Sequence, residues 1–220
     1  MGELQYFDII LFGMVAAFLV LRLRSVLGRR TGHERRPDPL LRRAEVPGEN
    51  VVALGNRTPA PPAVEMPPPG DAVAAGLGRI GAADPGFDPV QFVDGARIAF
   101  GMIVEAFAAG DKARLRPLLS DDVYKPFSTA IDERRAAGET LETRLLQLKQ
   151  LGISEAELAA NIARVTVKFV SEQVNVLRAH DRSIVDGDPD KGVEKTDFWT
   201  FARDTRATDP NWVLVATASG

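Results

Sequence analysis

The chain has no cysteine among its 220 residues. Disulfides, thiol nucleophiles and cysteine-ligated metals are therefore excluded, whatever the redox state of its compartment. Histidine is almost as scarce, with only His33 and His180. His33 stands in a proline-rich stretch and His180 sits beside Asp181 in a charged loop, so neither is placed to pair with a carboxylate as a catalytic base. Basic charge is lacking where nucleic acid would need it. The formal net charge is -3; residues 1–60 carry nine Arg against six acids, while residues 61–220 carry eighteen basic side chains against twenty-four acidic ones. An acidic second half offers no face for phosphates.

Long apolar runs are missing with one exception, the thirteen residues Ile9–Leu21. At 1.5 Å per residue such a run reaches about 20 Å, short of the ~30 Å hydrocarbon core. Its flanks extend it. Leu4, Tyr6 and Phe7 precede it, and Arg22 and Arg24 can snorkel their heads outward from apolar stems. Glu3 and Asp8 lie ahead of the run and arginines follow directly, the reverse of a cleaved signal peptide. The segment is therefore read as a retained anchor built on Ile9, Ile10, Leu11, Phe12, Val15, Phe18, Leu19, Val20 and Leu21, with an interfacial helix or a signal segment as the alternatives. Gly13 and Ala17 have a spacing that would let two anchors pack and the chain self-associate; the competing reading is a chance match in so apolar a run.

Arg22, Arg24, Arg29, Arg30, Arg35, Arg36, Arg42 and Arg43 follow the run, opposed only by Glu34 and Asp38. The positive-inside rule then predicts a single pass with the short N-terminus outside and the rest in the cytoplasm, beneath a bacterial inner membrane. Arg22, Arg24, Arg29 and Arg30 are also placed to hold anionic headgroups, at about 1 kcal/mol each; the competing reading is a topology signal alone. Ten of the fifteen prolines fall between Pro37 and Pro85. The expected organisation is thus an anchor with its basic flank over 1–30, a proline- and arginine-rich linker over 31–86, and a folded domain over 87–220.

Within the domain, Asp88-Pro89-Val90-Gln91 has the residues of a helix start, and Phe92, Ala96, Phe100, Ile103 and Phe107 recur at helical spacing up to Gly110. Asp111 and Ser120 head two further helices, one carrying Leu115, Leu118 and Leu119, the other Val123, Tyr124, Phe127 and Ile131. Thr140–Leu151 fits a helix or a strand and is taken as strand. Ser154–Ala160 is expected as a short capped helix, and Ile162–Leu177 as a strand, bulged near Ser171. Trp199 and Phe201 alternate with polar neighbours, as do Trp212, Leu214 and Ala216. A hairpin through Asp209-Pro210-Asn211 would set Phe201 opposite Trp212 and Trp199 opposite Leu214. Helices first and an antiparallel sheet afterwards make an α+β arrangement of three to four helices on a sheet of about four strands.

Phe100, Phe107, Gly110-Asp111, Tyr124-Lys125-Pro126-Phe127, Ile131, the VTVKF of Val165–Phe169, the stretch from Asp197 to Arg203 through Trp199 and Phe201, and the stretch from Pro210 to Ala216 through Trp212 and Leu214 together resemble the Tim44-like domain family. The resemblance covers roughly Pro85 to Gly220, and the anchor with its arginine flank resembles the bacterial members. It implies a cone-shaped fold like that of nuclear transport factor two, with a pocket between sheet and helices. It also implies docking to a membrane and to protein partners of the translocation or membrane-biogenesis machinery. The chaperone-recruiting region of the mitochondrial namesake has no counterpart here.

Chemistry is sparse. Asp197 shares the phase of Trp199 and Phe201, so it is read either as a proton-abstracting base in a cone pocket or as a structural carboxylate paired with Lys or Arg. Phe169, Trp199, Phe201 and Trp212 are expected to line that pocket or to fill the core. Asp186-Gly187-Asp188-Pro189-Asp190 resembles the start of a calcium loop, but Lys191 stands where a glycine is needed, and the stretch is taken as an acidic turn. No cofactor and no metal are expected, and a non-enzymatic, membrane-tethered adaptor is the function the pattern suggests, with a small-molecule binder or enzyme using Asp197 as the alternative.

Overall fold

A computed structural model describes residues 62–220. The expected anchor, the arginines Arg22, Arg24, Arg29 and Arg30, and most of the expected linker lie outside the described residues. Among the described residues no helix is long and apolar enough to cross a membrane.

The element order is β1 (Ala63–Glu65), α1 (Ala72–Ala83), α2 (Pro89–Ala109), α3 (Lys112–Leu115), α4 (Asp121–Ala136), β2 (Thr140–Ala159), β3 (Ile162–Arg178), β4 (Ile184–Asp186), β5 (Val193–Asp204) and β6 (Val213–Ser219). The class is α+β. Among the described residues the sheet has six strands in the order β1-β2-β3-β5-β6, with β4 pairing the far end of β3. All pairs are antiparallel except β1 with β2, which run parallel at Gln150–Gly152.

The central helix α2 forms as its sequence dictates. Asp88 Oδ1 accepts from the Val90 and Gln91 amides at 2.8 Å each, Pro89 occupies the first turn, and Gly110 closes the helix at φ +70°. Those are the cap and the left-handed stop that leave few end groups unpaired. Phe92, Val93, Ala96, Phe100, Ile103 and Ala106 form its buried stripe. Asp111 caps α3 through the Arg114 amide, whereas Ser120 heads α4 with no side-chain cap bond. At the end of α4 the buried Arg134 donates from Nη2 to Phe107 O (2.7 Å) and Ala108 O (3.0 Å), satisfying the last carbonyls of α2.

Four expectations require correction. Ser154–Ala160 is not a helix: β2 is one twenty-residue strand that pairs with β3 along its whole length. Glu155 and Glu157 sit opposite Thr166 and Arg164 while Ala156 and Leu158 face the core, so seventeen long-range pairings decide what local capping signals could not. Three register shifts, at Leu145/Gln147, Leu148/Gln150 and Ile153/Glu155, place the bulges in β2, one of them opposite Ser171.

The second correction is α1, which lies inside the stretch read as linker. It is rich in Gly and Ala, yet Leu77 and Ile80 are buried against the core. Gly76 is what permits the approach, since a Cβ there would strike the Ala156 carbonyl.

Third, the hairpin register differs from that expected. Phe201 pairs with Leu214 and Trp199 with Thr217, a shift at Thr200/Phe201 having consumed one residue, and Trp212 precedes β6 rather than belonging to it. Fourth, the sheet holds six strands where about four were expected, the additions being the three-residue β1 and β4.

Candidate functional site

The helix-covered face of the sheet is where the sequence places its pocket-or-core residues, and there the structure brings Phe169, Trp199 and Phe201 together. β3 contributes Val165, Val167 and Phe169 in alternation; β5 contributes Asp197, Trp199 and Phe201, paired across from Phe169, Val167 and Val165. Phe100 of α2 lies flat on Phe169, with ring centroids 4.4 Å apart and planes inclined by 14°, and tilts against Trp199 at 4.7 Å. Phe92 meets Phe201 edge-on at 6.0 Å and Trp212 at 4.7 Å, and Phe87 backs Trp212 at 5.7 Å. Phe169 is fully buried, and Trp199 retains 1 % exposure. These rings form a packed spine along α2, with Trp212 half-buried beside Phe87 and Phe92. Of the two readings, pocket lining or core, the burial of Phe169, Trp199 and Phe201 matches core packing, and such a layer stabilises the domain.

Asp197 closes the spine. It keeps the phase of Trp199, is 6 % exposed, and accepts from Ser219 Oγ at 3.3 Å. Among the described residues no Lys or Arg forms an ion pair with it; the Ser219 hydroxyl stands where a basic partner was expected. Burial pushes its carboxyl above the ordinary value of 3.8, and the nearby Lys195 charge and the Ser219 hydroxyl offset part of that. The neighbours of Asp197 across the sheet are Phe169 and Ser219, and among the described residues no histidine is near.

Beyond Asp197 the same face turns polar. Ser171 is fully buried and Gln173 is 5 % exposed. Gln173 Nε2 donates to Ser171 Oγ (2.8 Å), Asn175 Nδ2 to Gln173 Oε1 (3.4 Å) and Thr143 Oγ1 to Asn175 Oδ1 (2.7 Å), a relay that satisfies buried amides and a hydroxyl in series. Sequence reasoning missed this ladder. Its signal was available: Ser171, Gln173 and Asn175 continue the core phase of Val165, Val167 and Phe169. The tie between Arg203 Nη1 and Asp84 Oδ2 at 2.6 Å, with both side chains largely buried, was also missed. It joins β5 to the end of α1 across a separation of 119 residues, which no local pattern reveals.

The opposite face carries a shallow groove of about 280 Å3 over Val174 and Val176, walled by Glu142, Arg144, Pro189 and Asp190. Arg144 Nη2 donates to Pro189 O at 2.8 Å across it. The Asp186–Asp190 stretch forms the turn leading into β5, with Gly187 at φ +85° and Asp188 Oδ1 accepting from the Asp190 amide.

The family model described as "Tim44-like domain" matches residues 73–219. The chain is 24 % identical over 135 residues to the mitochondrial import inner membrane translocase subunit TIM44 of Rattus norvegicus; the match covers 61 % of this chain and 30 % of that one. It is 26 % identical over 144 residues to an uncharacterized protein of Rickettsia prowazekii, covering 66 % and 58 % respectively. The matched stretch thus spans under a third of the length of the rat protein. Among solved structures, the intermembrane space region of the chloroplast protein ARC6 superposes with a TM-score of 0.43 at 13 % identity, over 58 % of this chain and 95 % of that one. A putative dehydratase of the NTF2-like family from Streptomyces avermitilis gives 0.32 at 14 % identity, over 60 % and 99 %.

Proposed function

The chain belongs to the Tim44-like domain family, whose model matches residues 73–219, and from that premise we propose that it is a membrane-tethered, non-enzymatic adaptor. The anchor is Ile9–Leu21. Arg22, Arg24, Arg29 and Arg30 meet anionic headgroups beneath it, and the folded domain on the cytoplasmic side of a bacterial inner membrane engages protein partners, with translocation or membrane-biogenesis machinery as the partner class. The observation that carries this reading is the solid packing of Phe100, Phe169 and Trp199 against Asp197. Side chains fill the space beside Asp197 among the described residues, which supports recognition by the outer surface.

The test is fractionation of the full chain made in a bacterial host. The expected outcome is retention in membranes through a high-salt wash and release by detergent, with cross-linked proteins identified by mass spectrometry. Replacing Arg22, Arg24, Arg29 and Arg30 together by Gln should weaken flotation with anionic vesicles without releasing the protein from membranes. Release of the parent by salt alone would refute the integral anchor.

A further inference from the structure

The two edges of the sheet differ. At β6, the Leu214 amide donates to Leu118 O and its carbonyl accepts from the Ser120 amide, both at 2.9 Å, so the helix connection engages that edge at Leu214. At β2 the outer side is paired, among the described residues, by β1 over Gln150–Gly152. Among the described residues Thr140–Lys149 has no strand partner there, and unpaired strand edges are templates for another strand. Exposed large apolar side chains gather along this edge: Leu145 (39 %), Leu146 (42 %), Val64 (49 %) and Met66 (42 %). Up to Leu145 the pairing with β3 runs without a register shift, so Thr140–Leu145 is a regular strand ending where the first bulge begins.

We infer that two copies of this chain pair through Thr140–Leu145, antiparallel and about a two-fold axis at Thr143. The sequence Leu141-Glu142-Thr143-Arg144-Leu145 is self-complementary in that register. Thr143 meets its own copy, Glu142 faces the partner subunit's Arg144, and Leu141 faces the partner subunit's Leu145. Directly opposed residues share a face of the sheet, so the ion pairs fall on one side and the leucine pairs on the other. A shift by one residue would oppose Leu141 to Arg144 and Glu142 to Thr143, which is what fixes the register. Glu142 now bonds Arg178 Nε at 2.9 Å and Arg144 bonds a backbone carbonyl; the Glu142 side chain is 57 % exposed, which leaves it within reach of a second partner. An isologous contact of this kind closes on itself and yields a dimer rather than a fibre.

The absence of native cysteine makes the test direct. In the full chain, Thr143→Cys would place two thiols on residues whose Cα atoms are about 4.5 to 5.5 Å apart, within disulfide reach. Mild oxidation should give a dimer band on a non-reducing gel, while Glu157→Cys on the same strand should give background only. Adding Glu142→Arg, or Arg144→Glu, to Thr143→Cys should reduce the cross-link to background, and the two exchanged together should restore it. The same three exchanges in the cysteine-free chain, followed by light scattering of detergent-solubilised protein, read the dimer independently if Thr143→Cys, which loses its bond to Asn175, folds poorly. Background cross-linking at Thr143, or a double exchange that restores neither cross-link nor mass, overturns the inference. So does a cross-link that appears only after deletion of Val51–Leu54, because this chain's own preceding segment would then be what holds the edge.

Discussion

Trp199→Ala tests whether the aromatic spine is core or binding surface. The indole is 1 % exposed, lies 4.7 Å from the Phe100 ring and 5.7 Å from Phe169, and is inclined to both. Truncation removes its transfer energy and leaves a void that three rigid rings cannot close, which puts the cost at about 3 to 5 kcal/mol. For a domain of this size that is a drop in Tm of roughly 6 to 20 °C, against a total stability of roughly 5 to 15 kcal/mol. The indole Nε1 is buried with no partner among the described residues. Trp199→Phe therefore deletes an unsatisfied donor, a relief of about 1 to 3 kcal/mol that offsets part of the lost volume. The expected order is parent and Trp199→Phe close together, with Trp199→Ala far below. Thermal unfolding of residues 62–220, followed by circular dichroism, measures it. A Trp199→Ala protein that melts within a few degrees of the parent would show that the spine is not the core.

Two further outcomes follow from the same packing. Because burial raises the Asp197 carboxyl above 3.8, the folded state binds its proton more tightly than the unfolded state. Its contribution is fully present below pH 3.8 and is lost as pH rises through the raised folded value; the stability difference between Asp197→Asn and the parent should accordingly move in favour of Asn as pH climbs from about 4, and a difference independent of pH would contradict the assignment. Gly76→Ala should destabilise, although Ala is favoured over Gly in a helix by about 1 kcal/mol, because its Cβ meets the backbone carbonyl of Ala156; a gain in Tm would mean that α1 is not docked as described.

What the sequence revealed divides along the range of the interactions. The caps Asp88 and Gly110, the stripe from Phe92 to Ile103, and the alternation of Val165, Val167 and Phe169 are local codes that leave one reading. Ser154–Ala160 carries two codes at once: Ser154 with Glu155 and Glu157 mimics a helix start, while the same glutamates alternate with Ala156 and Leu158 as in a strand, and only pairing with β3 chooses. Helix α1 was illegible because its glycines argue against a helix in isolation. One of them, Gly76, is needed for close approach to Ala156 of β2, a tertiary reason. Asp197 was placed on the correct face from its phase, yet its partner, Ser219, belongs to a strand whose register hung on one bulge at Thr200/Phe201. The Ser171–Gln173–Asn175 ladder shows that polar residues in core phase deserve the same reading as apolar ones.

The three-residue strand β1 has a mechanical consequence. Any pull arriving from residues ahead of Pro62 enters the domain through Ala63–Glu65, laid parallel to Gln150–Gly152. When the force runs along the strand, that short ladder is loaded in shear, so its bonds share the load and must give way together instead of peeling one by one. Behind it, α1 is seated by Gly76 on Ala156, and the Asp84–Arg203 tie forms a second catch on β5. Tension on the N-terminal side thereby meets the edge strand β2 first and, through the Asp84–Arg203 tie, β5 within the sheet.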